Sequence, residues 1–268
     1  MMKFEAILRA VTVPCRDDGE RFVDATRMDA IRSLLDGSPW KASHEAGLYT
    51  LYAQEGFDRS NAPLVLSTHA DSVYGEHFAR RWRGRYLLGT FDNAVTNAVA
   101  VFMMLRGLLP DRVSVAFTGN EENGMAGARQ VAALVRGWSS PRVIALDVTG
   151  EQFDTCCATI ENAFMGREGR RDRIGELVGL TRGLDVGAIP DGDPDEAHEY
   201  ARQGLDAMSL CLPTTAAPSQ RRNFDWMHDD AGILVRMEAV PCYVEALARL
   251  CSAVTLDAGV EPMRSMQA

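Results

Sequence analysis

The chain has 268 residues, a formal net charge of −9 and 46% hydrophobic residues. This length suits one large α/β domain, so residues 1–268 are expected to form a single domain. The negative charge argues against nucleic acid as a partner, because phosphate binding requires a basic face. No apolar run approaches the ~20 residues that span a bilayer, so no membrane partner is expected.

The six cysteines are scattered along the chain without a CxxC pair. This usage is typical of reduced thiols rather than of a disulfide framework or a zinc ribbon. Cys211, Cys242 and Cys251 lie in apolar segments and are predicted to be core residues. The first 20 residues lack the continuous apolar region of a secretion signal. Together these features predict a cytoplasmic protein.

Short apolar runs alternate with longer helical patterns, which indicates βαβ units and a largely parallel sheet. An amphipathic helix is predicted at the N-terminus, with Phe4, Ile7, Leu8 and Val11 on one side. The other predicted elements, in chain order, are helix Thr26–Leu35, strands Leu48–Ala53 and Leu64–Thr68, helix Asn93–Leu108, strand Val113–Thr118, helix Gly124–Arg136, strand Val143–Asp147, helix Asp195–Gln203, strand Ala207–Leu212 and helix Asp230–Val254.

The stretch 165–192 is rich in glycine and arginine and leads into a turn-rich segment, IPDGDPDE. Its composition predicts an irregular excursion from the sheet. Nothing in the stretch indicates a second domain.

Acidic and histidine side chains follow the predicted strands at the points where the strands end. In open α/β sheets the ligand site lies beyond the carboxyl ends of the strands, so these side chains are expected to meet. They are His69 and Asp71 in THAD, Glu121 and Glu122 in TGNEENG, Asp147 in ALDVTG and His228 in WMHDD, together with Asp92 in GTFDNA, which opens a predicted helix.

Four carboxylates at this edge would repel one another and raise one another's pKa values. No matching set of arginines or lysines is interleaved with the motifs. Taken alone, Asp92 could be a helix cap and the Glu-Glu pair a favourable partner of a helix dipole. Taken together, the residues favour two divalent ions. Imidazole and carboxylate ligands without thiolate suit Zn²⁺, and also Co²⁺ or Mn²⁺.

The ordered motifs THAD, GTFDNA, TGNEENG, ALDVTG and MHDD resemble those of the zinc exopeptidase clan, which comprises the M20, M28 and M42 peptidases. The resemblance runs from about residue 64 to 254 and implies a single catalytic domain. The implied fold is a three-layer α/β sandwich, with a mostly parallel central sheet flanked by helices. The resemblance also implies that His69, Asp92 and Asp147 bind one metal and that Asp92, Glu122 and His228 bind the other. It further implies that Asp71 orients His69, that Glu121 is the general base and that the Asp92–Asn93 bond is cis.

The match to this clan is uneven along the chain. GTFDNAVTNAV is closer to the M28 style than to the M42 style, and the chain has little space for the lid domain of ~100 residues that is usual in M20 enzymes. Asp195 or Glu196 occupies the place of an acidic motif near the substrate, although Asp195 could equally cap the next helix. Arg221 and Arg222, just before His228, could bind a substrate carboxylate or lie in a solvated loop.

The implied reaction is hydrolysis of a peptide or related amide by a water held between two metal ions, with Glu121 accepting its proton. The expected enzyme is an aminopeptidase or carboxypeptidase. An N-acyl amino acid deacylase with the same metals, or a relative that binds metal without catalysis, are the alternatives. The expected partner is therefore a peptide or an N-acyl amino acid. Self-association into a homo-oligomer is compatible with the sequence.

Overall fold

A computed structural model describes residues 2–14, 16–17, 22–23, 25–61, 63–163, 170–220 and 225–256. The helices are α1 Phe4–Val11, α2 Ala25–Leu35, α3 Ala94–Arg106, α4 Ala126–Val135, α5 Arg170–Leu180, α6 Glu196–Arg202 and α7 Ala239–Leu256, with a 3-10 turn at Trp226–His228. The strands are β1 Arg16–Asp17, β2 Phe22–Val23, β3 Trp40–Ala46, β4 Tyr49–Gln54, β5 Leu64–His69, β6 Ala79–Trp82, β7 Tyr86–Gly89, β8 Val113–Thr118, β9 Arg142–Thr149, β10 Ala158–Glu161, β11 Val186–Ile189, β12 Asp206–Ala216 and β13 Ile233–Arg236.

The main sheet has the strand order β3-β4-β8-β5-β9-β12-β13-β7-β6, with β10 pairing to β12 and β11 to β10. Its four central strands, β8, β5, β9 and β12, run parallel. The strands beyond them on both sides are antiparallel. The carboxyl ends of the four central strands therefore share one edge of the sheet.

The central strands are apolar along most of their length because both faces of the sheet are covered. Every residue of β5 and of β8 is buried. On one face, Leu64 and Leu66 of β5 belong to a core shared with α1, α3 and α7. On the other face, Val65 belongs to a second core shared with α4 and α6. The predicted three-layer α/β fold with a central parallel sheet is confirmed.

The predicted helix Asp230–Val254 is wrong in its first part. Residues Ile233–Arg236 form β13, which lies between β12 and β7, and the helix begins only at Ala239. Ile233, Leu234 and Val235 are buried. A run of three apolar residues fits the period of a helix as well as that of a strand. Here hydrogen-bonded pairing with β12 on one side and β7 on the other favours the strand.

The described part of the stretch 165–192 is more regular than expected. It contains α5 and β11, and β11 pairs in parallel with β10. Glycine and arginine obscured the helix in the sequence, since Ile174 and Leu177 are the only buried residues among positions 173–180 of α5. Strand β11 has four residues and pairs with β10, and so short a strand likewise gives little recognisable pattern in the sequence.

The expectation of reduced thiols is wrong for one pair of cysteines. Cys157, just before β10, forms a disulfide with Cys242 in α7. Cys211 and Cys251 are buried free thiols, as predicted for core residues. The two paired cysteines are far apart in sequence, so no local spacing signalled the bond. Across the described residues, none of the helices combines the length and the apolar character needed to cross a bilayer.

Candidate metal centre

The strand-end residues meet at the carboxyl edge of the central sheet. His69 is the last residue of β5, and Asp147 lies in β9, its neighbour. Glu121 and Glu122 follow β8, on the other side of β5. Asp92 lies between β7 and α3, and His228 lies in the 3-10 turn, far from the other cluster residues in sequence.

Asp92 occupies the middle of this cluster. Its Oδ1 lies 3.1 Å from Nε2 of His69, and its Oδ2 lies 3.5 Å from Nε2 of His228. The two oxygens of one carboxylate thus face two different histidines. A carboxylate in this position can join two neighbouring cation sites.

Each histidine also faces a second carboxylate. Nε2 of His69 lies 3.6 Å from Oδ1 of Asp147, and Nε2 of His228 lies 3.4 Å from Oε2 of Glu122. The side chains of His69, Asp92 and Glu122 are almost fully covered, whereas His228 is 32% exposed. The cluster therefore opens to solvent on the His228 side.

Buried polar side chains support the cluster from behind. Oδ1 of Asp71 lies 3.5 Å from Nδ1 of His69, and Oδ2 accepts a hydrogen bond from the backbone N–H of Glu122. Asn97 of α3 donates to the carbonyl of His69. Asp71 thereby orients two strand ends at once, which agrees with its expected place behind His69.

The start of α3 is fixed to the sheet beside the cluster. Asn93 donates through Nδ2 to the carbonyl of Leu146 in β9, at 2.8 Å. The peptide bond between Asp92 and Asn93 is cis, as the resemblance to the zinc exopeptidase clan implied.

The buried carboxylates of the cluster are hard to ionise together, and this shows in their pKa values. Burial, followed by the charge of Asp92, raises the pKa of Glu122 to about 8. Burial also raises the pKa of Asp147 to about 6 and that of Glu121 well above its ordinary value. The hydrogen bond to Asp92 raises the pKa of His228 to about 10. Without a further cation, the cluster would have to take up protons.

The donor atoms fit divalent metal ions. One ligand atom each from His69, Asp92 and Glu122 lies within 4.8 Å of the others. Buried Oδ1 of Asp92 and Oε1 of Glu122 make no hydrogen bond with the described residues. Buried polar atoms are nearly always satisfied, so these atoms indicate a missing partner. The nitrogen and oxygen donors are those of a zinc, cobalt or manganese site.

The two acids proposed near the substrate have other contacts. Asp195 caps α6, accepting from the N–H groups of Ala197 and His198, and it also accepts from Ser209. This is the capping alternative left open by the sequence. The side chain of Glu196 is buried on the face of the sheet that α6 covers, and not in the cluster.

Both oxygens of Glu196 are used there. Oε1 accepts from the hydroxyl of Thr118 in β8 and Oε2 from Ser67 in β5. With 2% exposure, Glu196 is placed to support the strands and not to touch a substrate. Arg221 and Arg222, the other proposed substrate contacts, lie outside the described residues.

Sequence reasoning missed Tyr74, which lies beside the cluster in the loop after β5. Its side chain is 5% exposed, and its hydroxyl donates to the carbonyl of Met227, the residue before His228. Burial, then the charges of Asp92 and Glu122, keep the pKa of Tyr74 well above its ordinary value, so the hydroxyl stays protonated. A single tyrosine five residues after a histidine has no recognisable pattern.

Comparison with known proteins agrees with this architecture. Residues 51–229 match the sequence profile of peptidase family M28. The structure is similar to an aminopeptidase from the archaeon Desulfurococcus kamchatkensis, with a TM-score of 0.72 at 10% identity over 97% of this chain and 99% of that one. It is also similar to the TET1 peptidase of Pyrococcus horikoshii, with a TM-score of 0.65 at 13% identity over 93% and 99% of the two chains.

A third similar structure is the aminopeptidase PepT of Bacillus cereus, with a TM-score of 0.61 at 10% identity over 94% of this chain and 96% of that one. At such identities these likenesses show the fold alone. A search of curated proteins by sequence gave no match.

The fold, the clustered donors and the profile match together define a metal-dependent peptidase. The profile covers well over half of the chain, and the chain belongs to peptidase family M28. The predicted resemblance to the zinc exopeptidase clan is confirmed.

Proposed function

We propose that this protein is an aminopeptidase that removes residues from the free amino end of peptides with the help of two divalent metal ions, zinc being the best fit. His69, Asp92 and Asp147 would hold one ion, and Asp92, Glu122 and His228 the other. The observation that carries this proposal is the position of Asp92, whose two oxygens face two different histidines. The aminopeptidases of similar fold are consistent with it.

Bound ions would polarise the scissile carbonyl and bring the pKa of a coordinated water from ~15.7 towards ~7. The chain itself would supply the proton transfer. Glu121 stands next to the proposed ligand Glu122 but is not needed as a ligand, and burial already raises its pKa. A carboxylate there can accept the proton of water and pass it to the leaving amine.

Asp71 and Asn97 would hold His69 while this happens. Asp71 faces Nδ1 of His69, which leaves Nε2 as the atom turned toward Asp92 and Asp147. Asn97 fixes the His69 carbonyl. Such supports keep a ligand from rotating when charge develops at the reacting carbonyl.

The first test is metal uptake combined with a substrate panel. Metal-free protein is titrated with Zn²⁺, Co²⁺ and Mn²⁺ separately, and each form is assayed on aminoacyl and N-acyl amino acid substrates. We expect two ions per chain and hydrolysis of the aminoacyl substrates. Absence of metal uptake at neutral pH contradicts the proposed centre, and hydrolysis of N-acyl substrates alone would make the protein a deacylase.

We also propose that copies of this chain associate. The TET1 peptidase of Pyrococcus horikoshii, of similar fold, can assemble into a tetrahedron or a large octahedral shell. Light scattering on the purified protein should then give a mass that is a multiple of 29.4 kDa. A mass of one chain at micromolar concentration would contradict this proposal.

A further inference from the structure

His228 differs from the other cluster residues in how it is held. It lies in a 3-10 turn of three residues, none of which is buried. His69 and Asp147, by contrast, lie in central strands of the sheet. The imidazole has one close contact within the segment, Nδ1 with Oδ1 of Asp225 at 2.7 Å, but the turn as a whole is placed by contacts from other parts of the chain.

Those contacts come from the loop between β5 and β6. The hydroxyl of Tyr74 donates to the carbonyl of Met227. Two residues beyond His228, Oδ1 of Asp230 accepts from the N–H groups of Gly75 and Glu76, at 2.8 and 3.1 Å. Three consecutive residues of one loop therefore hold the turn on both sides of His228.

A third contact comes from the end of β9. The ring of Trp226 packs so closely on Gly150 that a Cβ atom at position 150 would lie 2.7 Å from it. Gly150 follows β9, the strand that carries Asp147. The turn is thus fitted against two of the segments that supply the cluster.

We infer that Tyr74, with Asp230, is a positioning residue that sets the distance of His228 from Asp92 and Glu122. This inference rests on the proposed role of His228 as a metal ligand. Tyr74 is suited to the task because its buried hydroxyl fixes a backbone atom adjacent to His228, whereas the imidazole itself keeps Nε2 toward Asp92 and Glu122. Tyr74 would not touch the ions, and its effect would be on the affinity of the one ion that His228 holds.

Zinc affinity is the measurement that separates this role from general support. Both Zn²⁺ affinities of the full chain are measured by competition with a chromophoric chelator. Tyr74→Phe removes only the hydroxyl. We expect it to weaken one of the two ions by ~10–100-fold, the usual effect of losing a group that orients a ligand. The other ion should bind as in the wild type, and excess Zn²⁺ should restore kcat.

Tyr243 provides a matched control. Its hydroxyl is also buried and also donates to a backbone carbonyl, that of Leu210, at 2.6 Å. Tyr243→Phe should therefore cost a similar amount of stability without altering either zinc affinity. If Tyr243→Phe weakens zinc as much as Tyr74→Phe does, the effect is general loosening and the inference is wrong.

Asp230 is exposed, so its variants test the contacts between the turn of His228 and the β5–β6 loop without loss of a core side chain. Asp230→Ala should weaken the same ion as Tyr74→Phe. Asp230→Asn keeps an oxygen for the two backbone N–H groups and should restore most of the affinity. Wild-type zinc affinities in both Tyr74→Phe and Asp230→Ala would overturn the inference.

His228→Ala distinguishes failure of the inference from failure of the proposed function. If His228→Ala loses one ion while Tyr74→Phe binds both normally, the metal centre stands and only the positioning role of Tyr74 is wrong. If His228→Ala still binds two ions with wild-type affinity, His228 is not a ligand, and both proposals are overturned.

Discussion

Glu121 and Glu122 are neighbours in sequence, but only Glu122 faces His228 at ion-pair distance. The pKa of Glu121 is affected mainly by burial and then by the charges of His69 and Asp147, but Glu121 is not one of the proposed ligands. The two acids should therefore respond differently to the same substitution.

Glu121→Gln keeps the size and polarity of the side chain but cannot accept a proton. We expect kcat to fall by ~10²–10⁴-fold, which corresponds to ~3–5 kcal/mol of transition-state stabilisation. Bound zinc and thermal stability should remain near the wild type. Glu122→Gln should instead weaken zinc binding, so that the melting temperature depends on the free Zn²⁺ concentration.

Activity and bound zinc are measured together on both variants, by steady-state kinetics and elemental analysis. Loss of zinc in Glu121→Gln with retention in Glu122→Gln would show that the two roles are reversed. Full activity and full zinc in both would place the active site elsewhere.

Single residues of the cluster could be predicted because they stand where strands end, and parallel strands must bring those ends together. Asp71 was expected behind His69 from the family resemblance, but the other supports were not predicted. Tyr74 acts through a backbone carbonyl far along the chain, and Glu196 was expected as an acid near the substrate and not as a support of the strands. Both contacts depend on tertiary packing that leaves no spacing in the sequence.

Among the elements, α6 is tied to the central sheet by one buried carboxyl group. Glu196, the first residue of α6, accepts hydrogen bonds from Ser67 in β5 and Thr118 in β8. Ser67 lies two residues before His69, so this link stiffens a strand that carries the cluster. Burial raises the pKa of Glu196 to about 7 from its ordinary 4.5.

This pKa predicts how stability depends on pH. Because the folded-state pKa lies above the unfolded value, the contribution of Glu196 is fully present below pH 4.5 and is lost as the pH rises through 7. Glu196→Gln cannot ionise. The free energy of unfolding of Glu196→Gln, relative to that of the wild type, should therefore be higher at pH 8 than at pH 5 by on the order of 2 kcal/mol.

Denaturant unfolding of the metal-free proteins at both pH values measures this difference. Glu55→Gln, at an exposed turn, is the control and should show no such trend. An equal pH trend in the two variants would mean that Glu196 is not the group responsible.

Elements with strong periodicity were predicted well, and β8 was predicted with its observed bounds. The failures include the 11-residue helix α5, the seven-residue strand β3 and several shorter strands. β13 was read as helix because ILVR fits both periods, and its true state depends on β12 and β7 lying on either side. β11 depends in the same way on β10.

On the scale of the whole molecule, the disulfide between Cys157 and Cys242 links the start of β10 to α7 across a sequence separation of 85 residues. Closing so long a loop restricts the unfolded chain. Replacing both cysteines by alanine should lower the free energy of unfolding by about 2–5 kcal/mol.

Thiol titration and chemical unfolding at a fixed zinc concentration check this prediction. Denatured wild-type protein should show two fewer thiols without reductant than with it. Cys156→Ala is the matched control, since it removes the neighbouring free thiol and leaves the loop closed. Equal thiol counts with and without reductant would show that the bond does not form.

The place of β13 in the sheet also bears on how the protein is made. Among the described strands, the β6–β7 hairpin pairs with the rest of the sheet only through β13, which is synthesised much later. Until then one edge of β7 is open to pairing with another chain, a common route to aggregation during translation. Asp92 follows β7 and His228 precedes β13. The ribosome must therefore release both strands before the two halves of the metal centre can meet.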